Sequence, residues 1–186
     1  MEKLIHGKVI IVCEDNYLRK SIELLSPFST NEFIKTDEVI SPIHRASTFN
    51  IFAILSERNT CASLRYIFKI HSMFHHTCIH FISLKQQPYV IKRAVECTGG
   101  TYNEVGFEFS EFQKAMLHYI SGTHTDIYNA SNIITPLEAE ILALYLNNFS
   151  RKSIALGMGC APKTVHNHIL NALKKMNLTR SRDLFT

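Results

Sequence analysis

ITPLEAEILALYLNNFSRKSIALGMGCAPKTVHNHILNALKKMNLTR, Ile134 to Arg180, reads as three short helices with their start and stop signals in place. Thr135-Pro136-Leu137-Glu138 opens the first: a Thr N-cap, Pro at the first helical position, and Glu at the third to close a capping box. Behind it Leu137, Ile141, Leu144 and Tyr145 recur at helical spacing, and Asn147-Asn148 ends the run. Ser150 can cap a second helix that buries Ile154 and Ala155 and stops at Gly157 or Gly159. Pro162 opens a third, in which Val165, Ile169, Leu173 and Met176 form one apolar stripe.

Two helices joined by a tight Gly-containing turn, the second with a polar outer face, are the signature of a helix-turn-helix. With these residues in this register, the stretch resembles the DNA-binding domain of LuxR/FixJ-type (NarL-like) bacterial transcription regulators over nearly its whole length. The matching positions are Thr135, Pro136, Glu138, Glu140, Ile141, Leu142, Ser150, Lys152, Ile154, Ala155, Gly159, Lys163, Thr164, Val165, His168, Leu173, Lys174 and Lys175. Three positions depart from the pattern. Ala161 stands where the family usually has a capping Ser, which forfeits about 0.5–2 kcal/mol of helix stability. Ser153 replaces a usual Glu, and Cys160 a usual Ile or Val.

The resemblance implies a mechanism by residue. With its apolar stripe turned inward, the third helix presents Lys163, Thr164, His166, Asn167, Leu170, Asn171 and Lys174 outward. In the family, the positions held here by His166, Asn167 and Leu170 lie against base edges in the major groove. Asn167 can pair with adenine and Leu170 can touch a thymine methyl. Lys152, Lys163, Thr164, Lys174 and Arg180 are the expected phosphate contacts, which position without reading sequence. Relatives often carry Lys at the positions of His166 and Leu170. Losing both cations weakens binding and makes it less sensitive to salt. His166 is also expected to tighten DNA affinity as pH falls through about 6.5, where free imidazole gains its proton; the bland alternative is a neutral hydrogen-bonding side chain.

Charge agrees. From Ile134 onward seven Lys/Arg stand against three acids, whereas the preceding 133 residues hold thirteen of each. The whole formal excess of +4 therefore lies on the piece expected to seek phosphate. A length of 186 residues allows one or two small domains. No signal-peptide core and no membrane-length apolar run are present, so a cytoplasmic protein is expected. The five Cys (Cys13, Cys61, Cys78, Cys97, Cys160) lack C-x-x-C spacing and read as buried reduced thiols.

Before this stretch, strand and helix patterns alternate. Lys8 to Cys13, Ile51 to Leu55 and Cys78 to Ile82 are apolar runs of the kind buried on both faces, with shorter strand candidates at Phe33-Ile34 and Thr101-Tyr102. Helical spacing marks Asn16 to Leu25, Cys61 to Met73, Pro88 to Cys97 and Ser110 to Ile120, and a weak short helix falls at Ser41 to Ser47. Alternation implies a parallel sheet with helices on both faces. Ser121 to Asn132 is polar and turn-rich, a linker. The expected organisation is an α/β receiver-like (flavodoxin-like) parallel-sheet domain at 1–120, a linker at 121–133 and a small all-α helix-turn-helix domain at 134–186.

The alternation, and above all Tyr89 to Tyr102 leading into the last strand, resembles a response-regulator receiver domain. Its working residues are largely replaced. The paired acids at the end of the first strand fall on Cys13-Glu14 or Glu14-Asp15, depending on register. At the phospho-accepting position the available residues are Leu55, Ser56 and Glu57, none of them Asp. The Lys expected near Asn103, Glu104 or Val105 is absent, and only Ser83 remains at the hydroxyl position after the fourth strand. Phosphoryl transfer needs a nucleophilic carboxylate, a cation and positive charge on the phosphoryl oxygens. Switching by phosphorylation is therefore not expected.

His71, His75, His76 and His80 form a histidine-rich patch, with His71 and His75 at the i, i+4 spacing of zinc-binding helices. No carboxylate or C-x-x-C accompanies them, and solvated or partner-facing histidines are the preferred reading. No metal, cofactor or enzyme activity is assigned, since no triad, phosphate-cradling Gly loop or paired-carboxylate site is evident. Relatives continue into a full fourth helix that pairs two domains; here Ser181 to Thr186 spans scarcely more than one turn. Dimer contacts are expected instead from the receiver-like domain, with a second copy or with another response regulator, as in the Rcs-type auxiliary regulators that the plan resembles. The expected partners are double-stranded DNA, such a regulator, and RNA polymerase. The function expected is phosphorylation-independent, sequence-specific DNA-binding transcription regulation. Two alternatives stand beside it: a protein-interaction co-regulator that binds DNA weakly by itself, and a metal- or nucleotide-sensing regulator.

Overall fold

The computed structural model describes residues 9–25, 31–34, 50–56, 59–106, 108–120 and 132–185. Five parallel strands, β1 (Val9–Val12), β2 (Asn31–Ile34), β3 (Asn50–Leu55), β4 (Ile79–Ser83) and β5 (Thr101–Glu104), form one sheet in the order β2-β1-β3-β4-β5. Register is set by pairs such as Ile11 with Phe52, Ala53 with Phe81 and Ile82 with Asn103. The apolar runs that build β1, β3 and β4 have almost every residue buried, as strands covered on both faces do.

Helices α1 (Asn16–Leu25), α2 (Thr60–Met73), α3 (Tyr89–Cys97), α4 (Phe109–Ile120), α5 (Pro136–Leu146), α6 (Arg151–Gly157) and α7 (Pro162–Lys175) complete the order, followed by a 3-10 turn at Ser181–Leu184. The chain divides into two compact units that do not follow its linear order. One comprises 1–56, 76–86 and 100–127, and the other 57–75, 87–99 and 128–186.

In the first unit, alternate strand residues Val9, Ile11, Phe52, Ile54 and Ile82 meet Leu18 and Ile22 of α1 and Phe112, Ala115 and Met116 of α4 in one apolar cluster. The glycine that opens this unit's last strand has a steric cause. A Cβ on Gly100 would stand 2.8 Å from the Ile79 carbonyl oxygen and 2.8 Å from the Phe81 ring.

The second unit is all-helical. Helix α2 lies along α5, which also packs on α6 and α7, while α3 lies against α2. The starts are those expected. Thr135 Oγ1 accepts from Glu138 N–H while a Glu138 carboxylate oxygen accepts from Thr135 N–H, and Ser150 accepts from Ser153 N–H. The ends share one device. Asn148, Gly159 and Asn177 adopt left-handed φ angles of 64°, 63° and 58°, and Phe149, Cys160 and Leu178 return N–H bonds to Leu144, Ala155 and Leu173. That double turn satisfies carbonyls which a helix end would otherwise leave bare.

Several expectations change. On α5, Leu137 is 45% exposed, Leu144 and Tyr145 are half-buried, and Ala139, Leu142, Ala143 and Leu146 are buried beside Ile141. A single-stripe reading fails because α5 is covered by α2 as well as by α6 and α7. On α4, Phe112, Ala115 and Met116 are buried and Leu117 is exposed. Of the five thiols only Cys13 and Cys97 are buried; Cys78 is exposed and Cys61 and Cys160 are intermediate. The helix expected at 41–47, and residues 121–131 of the linker expected at 121–133, lie outside the described residues.

Candidate nucleic-acid interface

Helix α7 owes its two faces to sequence spacing. Val165, Ile169, Ala172 and Leu173 are buried, as is Met176 just beyond, whereas Lys163, Thr164, Asn167, Leu170, Asn171 and Lys174 are exposed. Lys163, Asn167, Leu170 and Lys174 recur at steps of four, three and four, so they share one side of the rod. Leu170 is a large apolar side chain held 46% exposed in the middle of this polar row. His166 is half-buried at its margin, with Nδ1 buried and without a hydrogen-bond partner. Lys152 is exposed on α6, and Arg180 is exposed beyond α7, where its N–H donates to the Asp183 carboxylate at 2.9 Å. The structure thus gathers five of the eight expected contact residues on the exposed face of α7 (Lys163, Thr164, Asn167, Leu170 and Lys174), with His166 at its edge and Lys152 and Arg180 on flanking segments.

What fixes α7 was not legible as a pattern. Lys175 Nζ meets Glu138 Oε2 at 2.6 Å, and Glu138 is 4% exposed, so the acid that closes the α5 capping box also ties down the last turn of α7. The Lys175 carbonyl accepts from Arg93 Nη2 at 3.0 Å and from the Cys97 thiol at 3.2 Å, both on α3. Burial pushes the Cys97 thiol above its ordinary value, which keeps it a donor. At the entry to α5, Ile134 N–H donates to the Cys97 carbonyl at 2.6 Å and its own carbonyl accepts from His71 Nε2 at 2.8 Å. These pairs lie 37 to 82 residues apart, beyond any local signal.

The histidine patch comes apart. His71 is buried on α2 with Ile134 as its partner, and burial holds its pKa below the usual imidazole value. His80 is buried on β4, bonded through Nδ1 to Thr101 Oγ1 at 2.8 Å and stacked on Tyr119 with ring centroids 4.3 Å apart. His75 and His76 are exposed in the turn before β4. The expectation of solvated histidines therefore holds for two and is corrected for two. Among the described residues no group of three or more metal-ligating side chains comes together, and no helix is long and apolar enough to cross a membrane.

At the strand ends of the sheet unit, Cys13 follows β1, its thiol pushed up to about 11 chiefly by burial and directed at the Asp15 carbonyl. The Asp15 carboxylate accepts from Tyr17 and Leu18 N–H at the start of α1, which makes it a helix cap. β3 ends on buried Leu55 followed by Ser56, and Glu57 lies outside the described residues. Ser83 closes β4 with its hydroxyl donating to the Lys85 carbonyl at 2.7 Å, and Val105 follows β5.

Residues 132–186 match the family described as bacterial regulatory proteins, luxR family. The chain is similar to the fimbriae Z protein of Salmonella typhimurium (strain LT2), 26% identical in an alignment 193 positions long, gaps included, that covers 92% of this chain and 91% of that protein. Its fold is similar to that of the two-component response regulator RcsB in a solved complex with DNA, at 15% identity, 96% coverage of each chain and a TM-score of 0.51. Residues 132–186 are thus a helix-turn-helix domain of the luxR family of bacterial regulatory proteins, in a chain whose fold is similar to that of the response regulator RcsB.

Proposed function

We propose that this chain is a sequence-specific transcription regulator that inserts α7 into the DNA major groove and acts without phosphorylation. The observation that carries the reading is the row Lys163, Asn167, Leu170, Lys174 on the exposed side of α7. Leu170, 46% exposed between amides and cations on that row, suits a thymine methyl beside an adenine edge. His166 joins Asn167 and Leu170 at the bases, and Lys152, Lys163, Thr164, Lys174 and Arg180 hold phosphates. RcsB, whose fold this chain shares, has been solved in complex with DNA. In this reading 1–120 is a pseudo-receiver, 121–133 a linker and 134–186 the DNA-binding domain, in a cytoplasmic protein with no enzyme activity of its own. The pseudo-receiver supplies contacts to a second copy or to another response regulator.

Independence from phosphorylation is supported by Leu55 and Ser56 at the end of β3 and by the commitment of Asp15 to capping α1. The test uses duplexes selected by the purified chain from a random pool. Asn167→Ala is expected to cost about 1–3 kcal/mol and relax preference at one base pair, while Lys163→Ala weakens all duplexes alike and lowers the salt slope by about 0.9. A small-molecule phosphodonor is expected to leave mass and affinity unchanged. No selection of any sequence by the chain alone would favour the co-regulator alternative, and a phosphorylated adduct with altered affinity would end the claim of independence. Comparing wild type with His166→Ala at acidic and neutral pH decides whether that imidazole contributes charge.

A further inference from the structure

The polar face of α7 explains what it reads but not how it is aimed. Helix α3, which carries none of the expected DNA contacts, meets α7 at its C-terminal end. Arg93 there spends both terminal nitrogens, Nη2 on the Lys175 carbonyl at 3.0 Å and Nη1 on Glu96 Oε2 at 2.9 Å. Its Nε is buried without a partner, a cost that an ordinary surface i, i+3 ion pair does not carry. The same carbonyl takes the Cys97 thiol, while the Lys175 side chain goes to Glu138 on α5. The last residue of α7 is therefore gripped by its main chain from α3 and by its side chain from α5. A guanidinium at that end also meets the negative pole of the helix.

We propose that Arg93 is a positioning residue for DNA reading: it fixes the C-terminal end of α7 and so the aim of Asn167 and Leu170, without touching DNA. The proposal rests on the reading of α7 as the base-contacting helix. Asn167 lies eight residues from Lys175, about 12 Å along the rod, so a tilt of about 5° at the gripped end moves it by about 1 Å. Binding constellations tolerate displacements of about 0.5 Å. Loss of the grip therefore falls on sequence discrimination, and the phosphate contacts, which accept a range of geometries, are spared.

The experiment measures affinity for a duplex selected by the wild-type chain and for a scrambled duplex across a salt series, together with Tm. Arg93→Gln is expected to lower the selected-to-scrambled ratio by about 10-fold or more, the effect of losing a hydrogen bond to a charged group. The salt slope stays unchanged, and Arg93→Lys, which keeps a cationic donor, restores most of the ratio. A slope reduced by about 0.9 with uniform weakening makes Arg93 a phosphate ligand and overturns the proposal. A lowered Tm with an intact ratio in the folded protein makes it merely structural and overturns it too. Should Arg93→Gln not fold, Cys97→Ala removes the second donor to the same carbonyl and is read by the same ratio, a fall supporting the grip and no change refuting it. Wild type that fails to discriminate sinks the DNA reading itself; wild type that discriminates alongside an equally discriminating Arg93→Gln sinks only the role of Arg93.

Discussion

His71 shows how much a single residue's meaning depends on what stands opposite it. By spacing it belonged to a run of histidines; in the fold it is a buried donor to the Ile134 carbonyl, held neutral mainly by desolvation, with His75 adding repulsion. Its folded pKa lies below that of free imidazole, so below about pH 6.5 the unfolded chain binds more protons than the folded one. Stability is therefore expected to fall as pH drops through that value. In His71→Gln, which keeps an N–H donor without a titrating ring, the acid-side loss in urea midpoint between pH 7 and pH 5.5 should be smaller than in wild type. An unchanged pH profile would show that His71 does not couple to folding. The same contrast marks what residue-level reading can reach. Glu138 was legible as a capping acid because its partner is three residues away, whereas its tie to Lys175 spans 37 residues and leaves no local trace.

Helices were the most legible scale, because start and stop signals are local chemistry. Thr135 with Glu138, Ser150, Asn148 and Gly159 each perform at the backbone the task their side chain, or lack of one, suits. The burial of α5 was not legible, since a helix covered by neighbours on more than one side shows no single stripe. Helix α7 offers the sharpest element-level prediction. Its N-cap, Ala161, has the extended φ and ψ of a capping residue, −80° and 146°, but no side-chain acceptor. Ala161→Ser is expected to stabilise the protein by about 1 kcal/mol and raise Tm by about 2–4 °C, measured by calorimetry. No gain would mean that the first-turn N–H groups of α7 are already satisfied.

For the molecule, packing and chain order divide the protein differently. Helices α2 and α3 group with α5, α6 and α7 through bonds joining residues 63 to 85 positions apart, including His71 to Ile134, Arg65 to Asn147 and Cys61 to Leu146. A pass along the sequence registers composition and periodicity, so it finds a polar linker near 121–133 and cannot see such pairings. The consequence is measurable. A fragment of residues 132–186 loses the α2 side of α5 and the α3 grip on α7, so hydrogen exchange of its helix amides should be faster than in the full chain. The expected difference corresponds to about 2 kcal/mol or more, what exposing one large buried apolar side chain costs. Equal protection would show that α2 and α3 lend α5, α6 and α7 nothing.

Ile134 carries a last implication. Its amide is spoken for by one helix and its carbonyl by another, in a residue with no exposed surface. Turning the chain about this point means unpicking two bonds at once. Transplanting 132–186 onto a foreign carrier would leave both partners, Cys97 and His71, behind.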